Sequence, residues 1–489
     1  MRAAPTTLGL LAATGLAAQA AGALELEAVP AWQGWSRPGR ATEVELRLAG
    51  TGDVIVTIGA GGQRITTTVA LDASHPARLR VPVPAASVVT VDAAPANGSV
   101  VREQVALSLA EAPLLAWVGA DVGARGPAGF LRLPLDPAAL PGTVAGYGSI
   151  DALVIDATAL AALDDDQWNA LLGHVASCGR TVLVGTATEA ARLFASATGC
   201  SGRAIGFAAD GDAAATLLDE RLRQGLPEPI DARGLASMAD ADLASWHGVV
   251  GTLAACAALL LLGAVFLPAL AVHVALAGAA AIGAAWFVQS RPVDAQLVIW
   301  AEAGPGDRLA RYQALQQTSL VRRGDAAVTL PAELATPHAC RDLPGATWHW
   351  SARERRYESL AVASRLFGRV PVCFAGHFPV ARAVQWRDVD AASIAVRNSG
   401  PSSWPAGTLA WRRELLSLPA VAPGEEFVTT SAAATQPRTA AERQALARTA
   451  PDAAAMLWPL DVSLVKQAPE RSQAWLLVTA DAWTAGDPP

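Results

Sequence analysis

The sequence predicts a multidomain protein of mixed α/β and β class, in which a membrane-spanning helical hairpin separates two folded portions. Residues 24–110 alternate apolar and polar side chains in short runs, which is the period of half-buried strands. Residues 111–240 alternate apolar runs with amphipathic stretches, whereas residues 248–288 contain no Asp, Glu, Lys or Arg. Residues 292–489 return to strand-like patterns. The 489 residues are enough for several domains of about 150 residues each.

The first residues have the three-part order of a secretory signal peptide. Arg2 precedes the apolar stretch Leu8–Leu16, which is too short to span a bilayer. Small residues then offer cleavage signals at Ala18-Gln19-Ala20 and Ala21-Gly22-Ala23. We therefore expect residues 1–23 to be a signal peptide and the rest of the chain to be exported; the alternatives are an uncleaved anchor or a buried helix.

Residues 24–110 carry the pattern of an antiparallel β-sandwich. Strict alternation runs through Glu43–Leu48, Asp53–Ile58 and Arg64–Val69. Gly59-Ala60-Gly61-Gly62 separates the last two runs, where a tight hairpin needs positive φ. A phosphate-binding loop is the competing interpretation of these glycines, but neither a helix nor a lysine follows them. Short strands at this spacing favour a sandwich.

Two stretches resemble immunoglobulin-like domains. Gly34–Arg40 (GWSRPGR), followed by an alternating strand, resembles the opening of such domains in bacterial envelope proteins. Ile394–Gly400 and Leu418–Glu425 resemble adhesion-type immunoglobulin-like sandwiches. These resemblances imply an immunoglobulin-like sandwich over 24–110 and a β-rich, immunoglobulin-like domain over 292–489.

The middle of the chain has the pattern of a parallel α/β sheet. The apolar runs Leu114–Gly119, Ala152–Ile155 and Thr181–Gly185 read as buried strands, and Asp164–Cys178 between the last two reads as an amphipathic helix. Three aspartates stand at the start of this helix, where carboxylates cap free amides. Gly119 opens a glycine-rich stretch that we interpret as a loop.

Tyr147–Ile155, Leu163–Leu172 and Cys178–Gly185 resemble the glutamine-amidotransferase-like or flavodoxin-like domains of exported bacterial membrane proteins. The resemblance implies such a fold over 111–240. In active amidotransferases a nucleophilic cysteine lies on a sharp strand-to-helix turn, whereas Cys178 lies before a strand. The resemblance therefore implies the fold without the activity.

The uncharged run Gly248–Val288 is 41 residues long, about twice what one membrane-spanning helix needs. Two helices over 246–289, turning near Leu267-Pro268, fit this length; a pair of helices buried in a soluble core is the alternative. A hairpin returns the chain to the side from which it entered. We therefore expect the chain to lie in the lipid bilayer of a bacterial inner membrane with both soluble portions in the periplasm.

The five cysteines suit an oxidising compartment. The simplest pairing joins Cys178 with Cys200 and Cys340 with Cys373, and unlinked thiols are the alternative. His338, His349 and His377 lie near the second pair in the sequence, so a zinc site is a competing interpretation, although the spacing is not that of a zinc knuckle. We expect disulfides here, with no metal and no cofactor.

Trp348 and Trp350 lie on one face of a predicted strand, and we interpret them as an exposed binding surface; burial in the core is the alternative. The net charge of −7 and the scattered arginines argue against a nucleic-acid partner. The sequence contains neither a Gly-x-Ser-x-Gly elbow nor a His-Glu-x-x-His motif, and we expect a non-enzyme. These features favour a membrane-anchored scaffold or accessory subunit that binds membrane or periplasmic proteins. A glycan-binding accessory protein for polysaccharide synthesis or export is the alternative.

Overall fold

The computed structural model describes residues 24–483, apart from the following gaps. They are 97, 120–127, 186–204, 225–231, 240–292 (except 254, 258, 277 and 278), 305–306, 308, 321–323, 332–333, 335–336, 340–345, 365–367, 381, 463–464, 466–467 and 470. The described part is mostly β, in several sheets with few helices. This agrees with the β-rich portions that the sequence predicts.

The N-terminal strands follow the predicted alternation. Their bounds are β1 Glu25–Pro30, β2 Trp35–Ser36, β3 Ala41–Ala49, β4 Gly52–Ala60, β5 Gln63–Leu71, β6 Ala77–Pro84, β7 Val88–Pro95, β8 Val101–Ala106 and β9 Ser108–Leu109. The sheet β1-β3-β6 lies against β5-β4-β7-β8, and Leu46 and Val81 of the first share a core with Val56 and Ile58 of the second. The predicted glycine hairpin joins β4 to β5, with φ of +56° at Gly61 and +76° at Gly62.

The middle of the chain forms a five-stranded parallel sheet. Its elements are β10 Leu114–Val118, β11 Leu131–Leu135, β12 Ala152–Asp156, α1 Ala157–Ala161, α2 Asp165–Ala176, β13 Thr181–Val184, β14 Ile205–Ala208, α3 Gly211–Gln224 and α4 Ala232–Met238. The strand order β11-β10-β12-β13-β14 is that of flavodoxin-type sheets. Leu171 of α2 and Leu218 of α3 belong to separate apolar clusters that include alternate residues of β12, so helices cover both faces.

The C-terminal portion is built from longer strands. Its elements are β15 Val293–Ala303, β16 Leu309–Leu320, β17 Gly324–Thr329, β18 Pro337–Ala339, β19 Thr347–Ser351, β20 Arg356–Ser364, β21 Gly368–Pro379, β22 Val384–Asp390, β23 Ser393–Asn398, β24 Gly407–Trp411, β25 Glu414–Leu418, β26 Glu426–Thr430, β27 Ala434–Thr435, α5 Ala440–Arg448, β28 Ala454–Pro459, β29 Arg471–Thr479 and β30 Asp481–Ala482. Nine of these strands form the sheet β18-β21-β16-β15-β29-β28-β24-β25-β27, and four form β26-β23-β22-β30.

One sheet contains strands from both portions of the chain. Its order is β17-β20-β19-β5-β4-β7-β8, so N-terminal β5 pairs directly with C-terminal β19. One continuous hydrophobic core also includes Ile58 and Val81 together with Leu360, Phe374 and Trp458. The sequence did not predict this pairing, because the two strands are separated by more than 270 residues.

The predicted hairpin at 246–289 lies almost wholly outside the described residues. Within the described part of the chain, no helix is long and apolar enough to span a membrane. The described elements on either side of this segment lie together, however. Leu235 and Met238 of α4 pack in one cluster with Val298 of β15 and Leu315 of β16. The chain therefore leaves and re-enters the described fold at neighbouring positions.

Candidate functional site

The pairing of β5 with β19, which we call the join, brings together residues from either side of the predicted membrane segment. In parallel register, Arg64 lies beside Thr347 and Thr66 beside His349. The Arg64 amide donates to the carbonyl of Ala346 at 3.1 Å, and the Thr66 hydroxyl contacts Nδ1 of His349 at 3.0 Å. Backbone and side-chain hydrogen bonds therefore both hold the join.

The prediction that Trp348 and Trp350 form an exposed binding surface is wrong. The two indoles do share one face of β19, but they are only 3% and 6% exposed. Both pack edge-on against Tyr357, with ring centroids 5.4 Å and 4.9 Å from it. The intervening His349 is the exposed residue of the strand. An apolar pair on one face of a strand is buried when that face meets a second sheet, as it does here.

A shallow cleft of about 430 Å³ opens beside the join, on the outer face of the shared sheet. The glycine hairpin between β4 and β5, one end of β7 and the start of β19 line it. The polar residues that line it are Gln63, Arg64, Thr90 and Thr347. This cleft is composite, since residues that precede and follow the predicted membrane segment both contribute to it.

The N-terminal sandwich binds the α/β domain through two stretches that carried separate resemblances in the sequence. Trp32 donates its indole N–H to the carbonyl of Gly146 at 2.8 Å, and its ring lies edge-on to that of Tyr147. Both Arg37 and Arg40 form ion pairs with Asp151, at 2.9 Å and 2.8 Å. The segments around GWSRPGR and YGSID are therefore complementary halves of one interface.

A buried arginine forms the centre of the same interface. Arg80 of β6 is 8% exposed and binds Asp164 through both terminal nitrogens of its guanidinium group, at 3.0 Å and 2.7 Å. Its Nε donates to Glu45 at 3.1 Å, and Arg78 contacts both of these carboxylates. Glu43 accepts hydrogen bonds from the Gly142 amide at 2.8 Å and the Thr143 hydroxyl at 2.5 Å. We call Glu43, Glu45, Arg78, Arg80 and Asp164 the Arg80 cluster.

Burial and ion pairing shift the pKa values of the residues in the Arg80 cluster in different directions. Burial alone would raise the pKa of Asp164, but the hydrogen bonds and charge of Arg80 lower it to about 2. For Glu43 burial dominates and raises the pKa above its ordinary value, despite its hydrogen bonds. Burial would lower the pKa of Arg80, but its carboxylate partners raise it further above the physiological range. The arginine is therefore permanently charged and paired.

Of the three aspartates predicted at the start of α2, Asp164 caps the helix, and Asp165 and Asp166 lie in its first turn. Asp164 and Asp166 also have a second role. Asp164 caps α2: its carboxylate accepts from the Gln167 amide at 2.9 Å while the Gln167 side chain accepts from the Asp164 amide. Asp166 forms an ion pair with Arg355 of the C-terminal portion. The hydroxyl of Tyr357 also donates to the carbonyl of Pro82. The sequence pattern predicted the cap. No local sequence pattern predicts the ion pair of Asp166 or the hydrogen bond of Tyr357.

Cys178 and Cys373 are both disulfide-bonded. The predicted partners, Cys200 and Cys340, lie outside the described residues, so the predicted pairing stays a prediction. The sequence offered three histidines as possible zinc ligands. Within the described ranges, no three His, Cys, Asp or Glu side chains are placed to hold a metal ion. The ring of His377 instead contacts the hydroxyl of Ser177 at 3.2 Å, which links the end of α2 to β21.

Gly119, at the end of β10, marks the crevice where flavodoxin-type sheets bind ligands. Its φ is +118°, and a Cβ atom there would lie 2.1 Å from Oδ2 of Asp156. That carboxylate caps α1 through the Ala159 amide. The loop that follows Gly119, residues 120–127, lies outside the described residues. The glycine is therefore explained by the close approach of a neighbouring side chain.

No family model and no curated protein matches this chain. Among solved structures, it is similar to the yeast delta-COP-I mu-homology domain complexed with a Dsl1 WxWxV peptide. That similarity has 5% identity and a TM-score of 0.21, and covers 39% of this chain and 97% of the other. A 1.5-MDa bacterial ice-binding adhesin is similar at 7% identity and a TM-score of 0.14, over 94% of this chain and 98% of the other. Similarities at these TM-scores carry no argument about fold or function.

Proposed function

We propose that this chain is a non-catalytic, membrane-anchored scaffold of the bacterial envelope. In this proposal a helical hairpin at 246–289 anchors it in the inner membrane. Both flanking portions lie in the periplasm and together present one rigid surface to protein partners of an inner-membrane complex. The pairing of β5 with β19 is the observation that carries the proposal.

The join supports the topology because hydrogen-bonded strands of one sheet must lie in one compartment. Arg64–Thr66 precede the long apolar run and Thr347–His349 follow it. A chain that crosses a membrane between them must therefore cross an even number of times. The packing of α4 against β15 and β16 supports a short return, since the described elements on either side of the apolar segment are neighbours.

The cysteines support export. Cys178 in the α/β domain and Cys373 in the C-terminal portion are both disulfide-bonded. Disulfides form and persist in oxidising compartments such as the bacterial periplasm. The signal-peptide pattern over residues 1–23 predicts the same compartment independently.

Rigidity supports a scaffold role. The Arg80 cluster fastens the sandwich to the α/β domain, and Arg355 with Asp166 fastens that domain to the C-terminal portion. The shared sheet and its continuous core then join the first portion to the last. Three parts of the chain are thus fixed relative to one another, which suits a protein that holds partners at set positions.

The glycan-binding alternative loses the platform that the sequence suggested, because Trp348 and Trp350 are buried. A polar cleft beside the join is the feature that remains for it.

An engineered disulfide across the join tests the topology in intact membranes. Thr66→Cys with His349→Cys places thiols on adjacent strands, within the Cα separation that a disulfide spans. We expect tryptic digestion to release peptides 65–78 and 342–353 as one disulfide-linked species, since neither contains a native cysteine. Ile55→Cys with His349→Cys is the matched control, because β5 separates these two residues on the same sheet face.

The single variant His349→Cys carries an exposed thiol, which should react with a membrane-impermeant maleimide in cells whose outer membrane alone is permeabilised. Failure of both the linkage and the labelling would refute the proposed topology. Affinity purification from membranes then tests the scaffold role: we expect a membrane protein to co-purify in fixed stoichiometry. Recovery of the chain alone would refute that role while leaving the topology intact.

A further inference from the structure

The composite cleft beside the join presents hydrogen-bond donors and one positive charge. Arg64 and Thr90 reach it from the strands before the predicted membrane segment, and Thr347 reaches it from β19. None of the described residues that line it is acidic. A cleft of about 430 Å³ is within the range of small-molecule sites, about 300–1,000 Å³.

The buried indole of Trp348 ties the two strands together behind the cleft. Its Nε1 donates to Oε1 of Gln63 at 2.9 Å. Gln63 pairs with buried Ala60 across the hairpin and directly precedes Arg64, so its side chain lies on the buried face of the sheet while that of Arg64 lies on the outer face. This contact helps to hold Arg64 beside Thr347 on the face where the cleft opens.

Asp92, an acid on the same sheet face as Arg64, is paired with another arginine. It lies two residues along β7 from Thr90 and binds Arg102 of β8 at 2.5 Å and 3.0 Å. Arg64 itself is exposed. Charge-assisted bonds from a guanidinium favour planar anions such as carboxylate and phosphate.

A glycine near the end of β4 leaves room for the cleft. Gly59 lies between Arg64 of β5 and Thr90 of β7. A Cβ there would lie 3.5 Å from the Thr90 hydroxyl, which is an ordinary contact, so the backbone tolerates a side chain at this position. A glycine inside a strand often marks a place where another group approaches the backbone closely.

We propose that this cleft binds the carboxylate or phosphate group of a small acidic sugar. Arg64 forms the ion pair, while Thr90 and Thr347 hydrogen-bond to the anion and to sugar hydroxyls. The site exists only when the two portions of the chain are joined, so ligand binding is coupled to the integrity of the join.

Calorimetric titration of the purified full-length chain with D-glucuronate, glucose 6-phosphate and neutral glucose tests this proposal. We expect at least one acidic sugar to bind about tenfold or more tightly than glucose, and the difference to shrink with added salt. Arg64→Gln should weaken that binding about tenfold or more, because it removes the charge that pairs with the anion. Gly59→Val should block it by filling the cleft.

Arg413→Gln is the matched control, because it removes an exposed positive charge from the turn between β24 and β25, on a different sheet and outside the cleft lining; its binding should equal that of the unaltered chain. Unchanged melting temperatures would show that Arg64→Gln and Gly59→Val are folded. The proposal is overturned if neither acidic sugar binds at about 50 mM, a range far weaker than typical specific sites. It is equally overturned if glucose binds as tightly, if Arg64→Gln has no effect, or if the chain binds only vesicles containing phosphatidylglycerol.

Discussion

Replacing Arg80 by methionine should destabilise the folded protein by about 3 kcal/mol. The guanidinium side chain is 7% exposed and makes contacts of 2.7 Å to Asp164 and 3.1 Å to Glu45. Removing one partner of a buried ion pair costs about 3–5 kcal/mol, because the remaining charge is left buried without compensation. The low end applies here, since Arg78 still contacts both carboxylates and Asp164 is 39% exposed.

Urea denaturation of the full-length chain, followed by tryptophan fluorescence, measures this cost. Arg102→Met is the matched control: its pair with Asp92 is exposed, and its loss should cost far less than that of Arg80. Adding Asp164→Asn, which keeps a capping side chain, should restore part of the stability lost in Arg80→Met. A cost for Arg80→Met no larger than that of Arg102→Met would refute the view that this cluster fastens the two domains.

Two further predictions concern acid stability and backbone strain. Because the pKa of Asp164 lies at about 2, below its ordinary value, its ion pair is fully stabilising above about pH 4 and is lost as the pH falls towards 2. Allowing for solvent screening, this loss is about 1 kcal/mol, and Asp164→Asn should flatten that part of the stability profile. Gly119→Ala should cost about 2 kcal/mol or more in thermal or urea unfolding, through its positive φ and its clash with Asp156. Gly39→Ala, which has a positive φ and nothing within 4 Å, is the control and should cost less.

Local patterns in the sequence predicted the elements well. Alternation placed β3, β4 and β5, the paired glycines placed the turn between the last two, and the aspartates placed the start of α2. Each of these signals depends on neighbouring residues alone, because pleat, turn and cap geometry are local properties. The parallel order of the middle sheet followed from the alternation of buried strands with helices.

The Trp348 and Trp350 pair shows what local sequence patterns cannot predict. Alternation correctly placed both indoles on one face of a strand, but it could not say whether that face meets solvent or a second sheet. The structure buries them against Tyr357, and Trp348 also hydrogen-bonds Gln63 of β5. A side chain expected to contact a ligand directly thus holds two strands together on the buried side of the sheet.

The sequence by itself determined that this chain carries strands, a parallel α/β unit and an uncharged run of 41 residues. Only the tertiary structure decided that β5 pairs with β19, that Arg80 meets Asp164, and that a cleft forms where the two portions join. The physical reason is sequence distance. Periodicity and capping depend on residues within a few positions of one another, whereas strand pairing and buried ion pairs join residues far apart. Such contacts are selected by the fit of the whole fold, which no single stretch of sequence encodes.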